Sequence, residues 1–295
     1  MPPVSERISM AMLHNSGLFL KKAAEEIASH NDAPDSPFDI DRATLVTVLT
    51  QVAVELASTA MVLRHEGLAG VVRPKDLPDN EADALALWET GRIRTVAFED
   101  IKARAAKYLG DEAFWSVVDF LQRSRNKLVH FHTPLVEGDR FDLKYDATHV
   151  LIQIIAALRQ TDEYDFPSGS EAFLGKELFK RLLSFEPYRE RIAARAREFE
   201  ILPLKCPICF IRAYSRDGEI CIGCGWAGEL NLLRCPGCGE RAVIYDNLNL
   251  PYNSWLKAVC GNCVWDGRAI HCDCCDLDFL TDNNRVSGCP SCTDS

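Results

Sequence analysis

The first 205 residues contain no cysteine at all. That excludes disulfides, thiolate metal sites and a cysteine nucleophile from the larger part of the chain. The opening segment, MPPVSERISM, lacks the charged start and apolar stretch of a secretory leader. No uninterrupted apolar run has the length of a membrane span. The most apolar stretch, 45–63, is broken by Gln51, Glu55 and several hydroxyl residues, and it is expected to be a buried helix. Positive charge is also scarce, with 33 Lys and Arg against 43 Asp and Glu and a net charge of −10. A general nucleic-acid coat is thereby excluded, because phosphate binding needs positive charge, and any such contact must come from a local basic cluster. These absences together lead us to expect a cytoplasmic chain with no membrane partner, in a reducing compartment where free thiols persist.

What is present divides sharply. All 13 cysteines lie at or after position 206. Twelve of them form six C-x-x-C pairs: Cys206/Cys209, Cys221/Cys224, Cys235/Cys238, Cys260/Cys263, Cys272/Cys275 and Cys289/Cys292. A tight turn between two thiolates lets both reach one tetrahedral ion, and two such knuckles complete a closed, structural zinc site. A repeat favours pairing in sequence order. Cys206-Pro-Ile-Cys209 and Cys235-Pro-Gly-Cys238 open with C-P-x-C, and Cys224-Gly-Trp and Cys263-Val-Trp close with C-x-W. Three structural zinc ions in tandem zinc ribbons are expected, with Trp226 and Trp265 covering the small cores. In the third unit the C-P-x-C knuckle comes second, and Cys274 and His271 flank the first, so either can replace one of the four ligands there. A disulfide framework or a redox C-x-x-C is the competing reading, disfavoured by six regularly placed pairs with Gly and Pro turns.

The preceding residues repeat apolar positions at helical spacing. Helices are expected over 4–30, over 39–66 with Asp39 or Asp41 as cap and Gly67 as stop, over 95–109, from just after Gly110-Asp111 to His132, over 147–160 and over 171–200 with a bend at Pro187. One long loop covers 68–80, and 140–145 reads as an extended piece. The expected architecture is an all-α bundle over 1–165, a helical extension and connector over 166–205 and a small β-rich zinc-ribbon module over 206–295.

The densest positive cluster lies in the fourth helix: Leu121-Gln-Arg-Ser-Arg-Asn-Lys-Leu-Val-His130-Phe-His132. Val117, Leu121, Ser124, Leu128 and Phe131 form its expected buried stripe. Arg123, Arg125, Asn126, Lys127, His130 and His132 are left as a basic patch. Arg offers a planar fork of donors to phosphate, and His titrates near neutrality and moves protons. RNA is the partner this chemistry suits, while a merely solvated helix face is the plain alternative. The hexapeptide Arg125-Asn126-Lys127-Leu128-Val129-His130 resembles the R-x4-H signature of HEPN domains, and Val54-Glu55-Leu56-Ala57 resembles the family's acidic-residue helix. The resemblance covers roughly residues 1–160. It implies a helical bundle acting as a metal-independent endoribonuclease in toxin or antiviral defence. It further implies Arg125, Asn126, His130 and Glu55 as catalytic residues, and a homodimer with a composite cleft.

The ribbons themselves carry 7 Lys and Arg against 11 Asp and Glu. Three zinc ions on twelve thiolates deepen that acidity, so the module is expected to regulate or to dock a protein partner. A non-catalytic helical dimer serving as a zinc-ribbon adapter is the alternative function.

Overall fold

The computed structural model describes residues 3–31, 38–130, 137–159, 170–199, 203–215, 220–226, 233–244, 255–272, 274–275, 277–282, 289–290 and 292. It divides into two compact units, Met1–Leu182 and Leu183–Ser295.

The first unit is helical. Helix α1 (Val4–Ser29) and helix α2 (Ile40–Glu66) form its centre. Asp39 caps α2, its Oδ1 accepting from Arg42 N at 3.0 Å, and Gly67 ends it in the left-handed region at φ 68°. Small residues let the two helices approach closely: Ala23 and Ala24 of α1 and Ala53, Ala57 and Ala60 of α2 are fully buried. Two hydroxyls tie the pair at this short range, Ser9 Oγ donating to Ala60 O at 3.1 Å and Ser16 Oγ to Ala53 O at 2.8 Å. These pairings make the helices antiparallel. Among the described residues α2 is the one helix long and apolar enough to cross a membrane, and 67% of its most apolar window is buried inside the protein.

Around this pair stand α3 (Leu68–Val71), α4 (Glu81–Glu89), α5 (Phe98–Ala105), α6 (Glu112–His130), α7 (Glu137–Arg159), α8 (Ser170–Leu174) and α9 (Lys176–Leu182). The expected loop over 68–80 contains α3 and a 3-10 turn at Pro74–Asp76, and Val72 bridges to Thr95. Helix α4, capped by Asn80, was not foreseen. The extended piece expected over 140–145 is instead part of α7. The alternation of Phe141, Leu143 and Tyr145 suggests a strand, but Lys144, Thr148, Leu151 and Ile155 stack on one helical face and are all buried, which decides for helix. The single helix expected over 171–200 is three. Gly175, at φ 83°, separates α8 from α9. Pro187 does not bend a helix but lies in the first turn of α10 (Glu186–Phe199), where its missing N–H costs nothing.

The second unit begins with α10 and continues into two sheets. Strands β1 (Leu204–Lys205), β2 (Arg212–Ser215) and β3 (Ile220–Cys221) form an antiparallel three-stranded sheet. Strands β4 (Leu233–Arg234), β5 (Arg241–Ile244), β6 (Trp255–Cys260), β7 (Asp266–Cys272) and β8 (Leu277–Thr281) form an antiparallel meander. The second and third cysteine units therefore share one sheet rather than standing as separate ribbons. The two sheets touch where Leu204 packs on Gly261. A Cβ at Gly261 would lie 2.7 Å from Leu204, so only glycine fits. Arg212 also donates to Asn262 O at 3.3 Å across this junction.

Candidate metal centres and the basic helix end

Three of the knuckles share one turn. In the first three, the N–H four residues after the first cysteine donates back to that cysteine's carbonyl: Phe210 to Cys206 at 3.0 Å, Gly225 to Cys221 at 2.7 Å and Gly239 to Cys235 at 2.9 Å. This turn needs a left-handed residue after the second cysteine. Gly225 and Gly239 supply it at φ 69° and 75°, whereas Phe210 adopts it at φ 60° despite its side chain. Backbone N–H groups also point at sulfur, among them Ile208 to Cys206, Gly237 to Cys235 and Asn262 to Cys260, at 3.3–3.4 Å.

The knuckles pair in sequence order. Cys206, Cys209, Cys221 and Cys224 form one tetrad, Cys235, Cys238, Cys260 and Cys263 a second, and Cys272, Cys275, Cys289 and Cys292 a third. The sulfurs stand 3.8 Å (Cys206–Cys224), 3.6 Å (Cys209–Cys221), 3.7 Å (Cys235–Cys263 and Cys238–Cys260), 3.7 Å (Cys272–Cys292) and 3.6 Å (Cys275–Cys289) apart. A disulfide needs about 2.05 Å. A tetrahedron with Zn–S bonds of about 2.3 Å has an edge of about 3.8 Å. The spacing is that of three closed zinc sites, each with four thiolate ligands.

Crowding of the thiols favours a cation at each tetrad. Burial pushes the thiols of Cys206 and Cys224 well above their ordinary range. Burial opposes ionisation of Cys221 too, but hydrogen bonds from Cys206, Cys209 and Cys224 outweigh it and hold that thiol well below. Burial likewise raises Cys260 to about 12, while the N–H groups of Cys275 and Cys274 hold Cys272 down at about 6. Four crowded thiols thus resist ionising together, and a divalent ion supplies the charge that lets all four do so.

The third tetrad consists of the four expected cysteines, without either alternative ligand, although the Cys274 thiol reaches Cys292. His271 Nδ1 pairs with Asp278 Oδ1 at 2.9 Å, and Cys274 is exposed. Trp226 is buried against Tyr214, with ring centroids 5.4 Å apart. Trp265 lies over Gly237 and Gly267, and its Nε1 donates to Asp282 Oδ1 at 3.2 Å. Sequence reasoning missed Asp278 and Asp282 as partners of these rings, since both are acids among many.

The basic segment lies late in α6. Val118 is fully buried, Phe114 and Leu121 nearly so, and Val117, Ser124 and Leu128 are half-buried, so the inward stripe is rotated by part of a turn from the expected one. Phe131 and His132 lie outside the described residues, as does the side chain of His130. Arg123, Asn126 and Lys127 are exposed and Arg125 is half-buried. The Arg125 guanidinium donates to Asn126 Oδ1 through Nη2 at 2.9 Å and Nε at 3.2 Å. A cavity of about 40 Å³ lies behind this end, between α2, α6 and α7, lined by Thr47, Thr50, Leu121, Ser124, Leu128 and Asp146 among others. Glu55, in the middle of α2, accepts from Gln51 Nε2 at 2.8 Å. Among the described residues no hydrogen bond or ion pair joins Glu55 to Arg125.

No family model, no curated protein and no solved structure matches this chain.

Proposed function

We propose that the chain is a HEPN-type endoribonuclease that cleaves RNA without a catalytic metal, in a toxin or antiviral defence role. The observation that carries this reading is the late part of α6, where the Arg125 guanidinium donates to Asn126 and His130 follows on the same helix just over one turn later. In this reading the ribose 2′-hydroxyl attacks the neighbouring phosphate. His130 moves the proton and the Arg125 fork stabilises the charge that develops on the phosphate oxygens. Asn126 positions that fork. Glu55 is proposed as the polar residue contributed by α2. The products are a 5′-hydroxyl and a 2′,3′-cyclic phosphate.

A homodimer belongs to this proposal. Leu45 and Val48 on α2 are 46% and 37% exposed, and Phe120 on α6 is 38% exposed. These are the apolar side chains that α2 and α6 offer to a second copy. The ribbons are proposed as a protein-docking and regulatory part. Residues 273–295 hold five acids, Asp273, Asp276, Asp278, Asp282 and Asp294, against Arg285 alone, a composition suited to a basic protein face and not to phosphate.

The test is cleavage of labelled single-stranded RNA in excess chelator, with overexpression toxicity as a second readout. Wild type is expected to leave cyclic phosphate ends, and Arg125→Ala or His130→Ala is expected to lower cleavage roughly a hundredfold or more. Unchanged cleavage in both variants would refute the assignment. Absence of cleavage by the wild type, with a protein partner retained through the ribbons, would favour the non-catalytic adapter.

A further inference from the structure

Helix α10 has 14 residues, a length at which an isolated helix is marginal in water. Among its described side chains the buried ones are Tyr188 and Ile192, fully so, and Ala196. Gly223, between the ligands Cys221 and Cys224, meets this face. The Tyr188 hydroxyl donates to Gly223 O at 2.7 Å, and a Cβ at Gly223 would lie 3.1 Å from Ile192. Next along the helix, Arg189 Nη1 donates to the carbonyl of the ligand Cys209 at 3.3 Å and to Leu183 O at 3.4 Å. One helix thus grips both knuckles of the first tetrad, one through a phenol and the other through a guanidinium. Among the three tetrads, this is the one whose four cysteines are all buried.

We infer that α10 is an outer wall of the first zinc site, with Tyr188 and Arg189 as positioning residues for its knuckles, and that the helix and the metal depend on each other. Four thiolates around one divalent ion leave a net double negative charge, and the Arg189 cation beside Cys209 offsets part of it. Tyr188 fixes the carbonyl at the turn that aims Cys221 and Cys224. By linkage, whatever the helix contributes to metal retention, the metal returns to the helix. Loss of the first zinc releases α10, and the stretch that follows α9 becomes a mobile tether instead of a helix.

The experiment uses the full chain loaded with zinc. Titration with a chromogenic chelator first counts the ions, and three per chain are expected; any other count would refute the metal assignment itself, separately from the role of α10. Release kinetics and trypsin cleavage after Arg189, Arg191, Arg195 and Arg197 are then followed together. The slowest ion is expected to leave about tenfold faster in Tyr188→Phe and in Arg189→Gln, with the two faster ions unchanged. Cleavage within α10 is expected to follow loss of that slowest ion. Cys238→Ser, which disables the second tetrad, is expected to leave α10 protected. An unaltered slow phase in both α10 variants, or α10 still resisting trypsin after all zinc is gone, overturns the inference.

Discussion

At Lys144 the ammonium is nearly buried in α7, 6% exposed, and it donates to Asn31 Oδ1 at the end of α1. Burial lowers its pKa from an ordinary value near 10.5 to about 8. The unfolded chain keeps that proton to about 10.5, so between these values it binds more protons than the folded chain does. Stability contributed by this group is therefore lowest at and below pH 7 and rises with pH through the window from about 8 to 10.5. The unfolding free energy of the helical unit, measured in urea, is expected to rise between about pH 7 and pH 9.5 by on the order of 1–2 kcal/mol, and the rise is expected to vanish in Lys144→Met. Nothing in the sequence marks Lys144 as buried, because it stands amid Asp142, Tyr145 and Asp146 in a stretch that reads as half-exposed strand. The twelve thiol ligands are the opposite case. Two residues between cysteines is a spacing with one dominant chemical reason, so residue type and position together fix the role.

Among the elements, α2 was legible nearly to the residue because three independent signals agree on it: an acid at its start, an apolar body and a glycine at its end. The cap is a local device with a local cost. Asp39→Ala removes the acceptor for Arg42 N and is expected to destabilise the helical unit by about 1 kcal/mol, measured by urea unfolding, with Asp39→Ser close to wild type. Helices α8, α9 and α10 were less legible because a helical period continues across Gly175 and the turn before Glu186. The period cannot show that the apolar faces on either side turn towards different cores. Leu182 belongs to the first unit and Tyr188 to the second. The basic end of α6 was readable as composition, but which of its side chains face inward depends on packing, and Val118 displaced Val117 from the expected stripe.

For the whole molecule, the two units rest on different sources of free energy. The helical unit buries a continuous apolar core that includes Leu20, Ile27, Leu63, Leu151 and Ile155. The second unit owes its stability chiefly to metal, each structural zinc site contributing on the order of 10–16 kcal/mol at neutral pH. Chelation is therefore expected to abolish the cooperative melting of residues 183–295 and to leave the helical transition in place, observed as loss of one of two calorimetric peaks. Because every ligand thiol must lose its proton to bind, acidification below about pH 5 is expected to act as chelator does, and raising the pH with zinc present to reverse it. The pairing of knuckles could be read from the chain. The shared sheet could not, since it depends on strand pairing between distant segments.

That shared sheet sets a rule of parity. Cys263 precedes β7 and Cys272 is its last residue, so the second and third metals sit at either end of a single strand of seven residues, a separation of about 20 Å. Successive side chains on a strand point to opposite faces. One residue added to or removed from β7 turns Cys272 away from its three partners, whereas two preserve its direction and only lengthen the span. Over this stretch the chain can change in even steps alone.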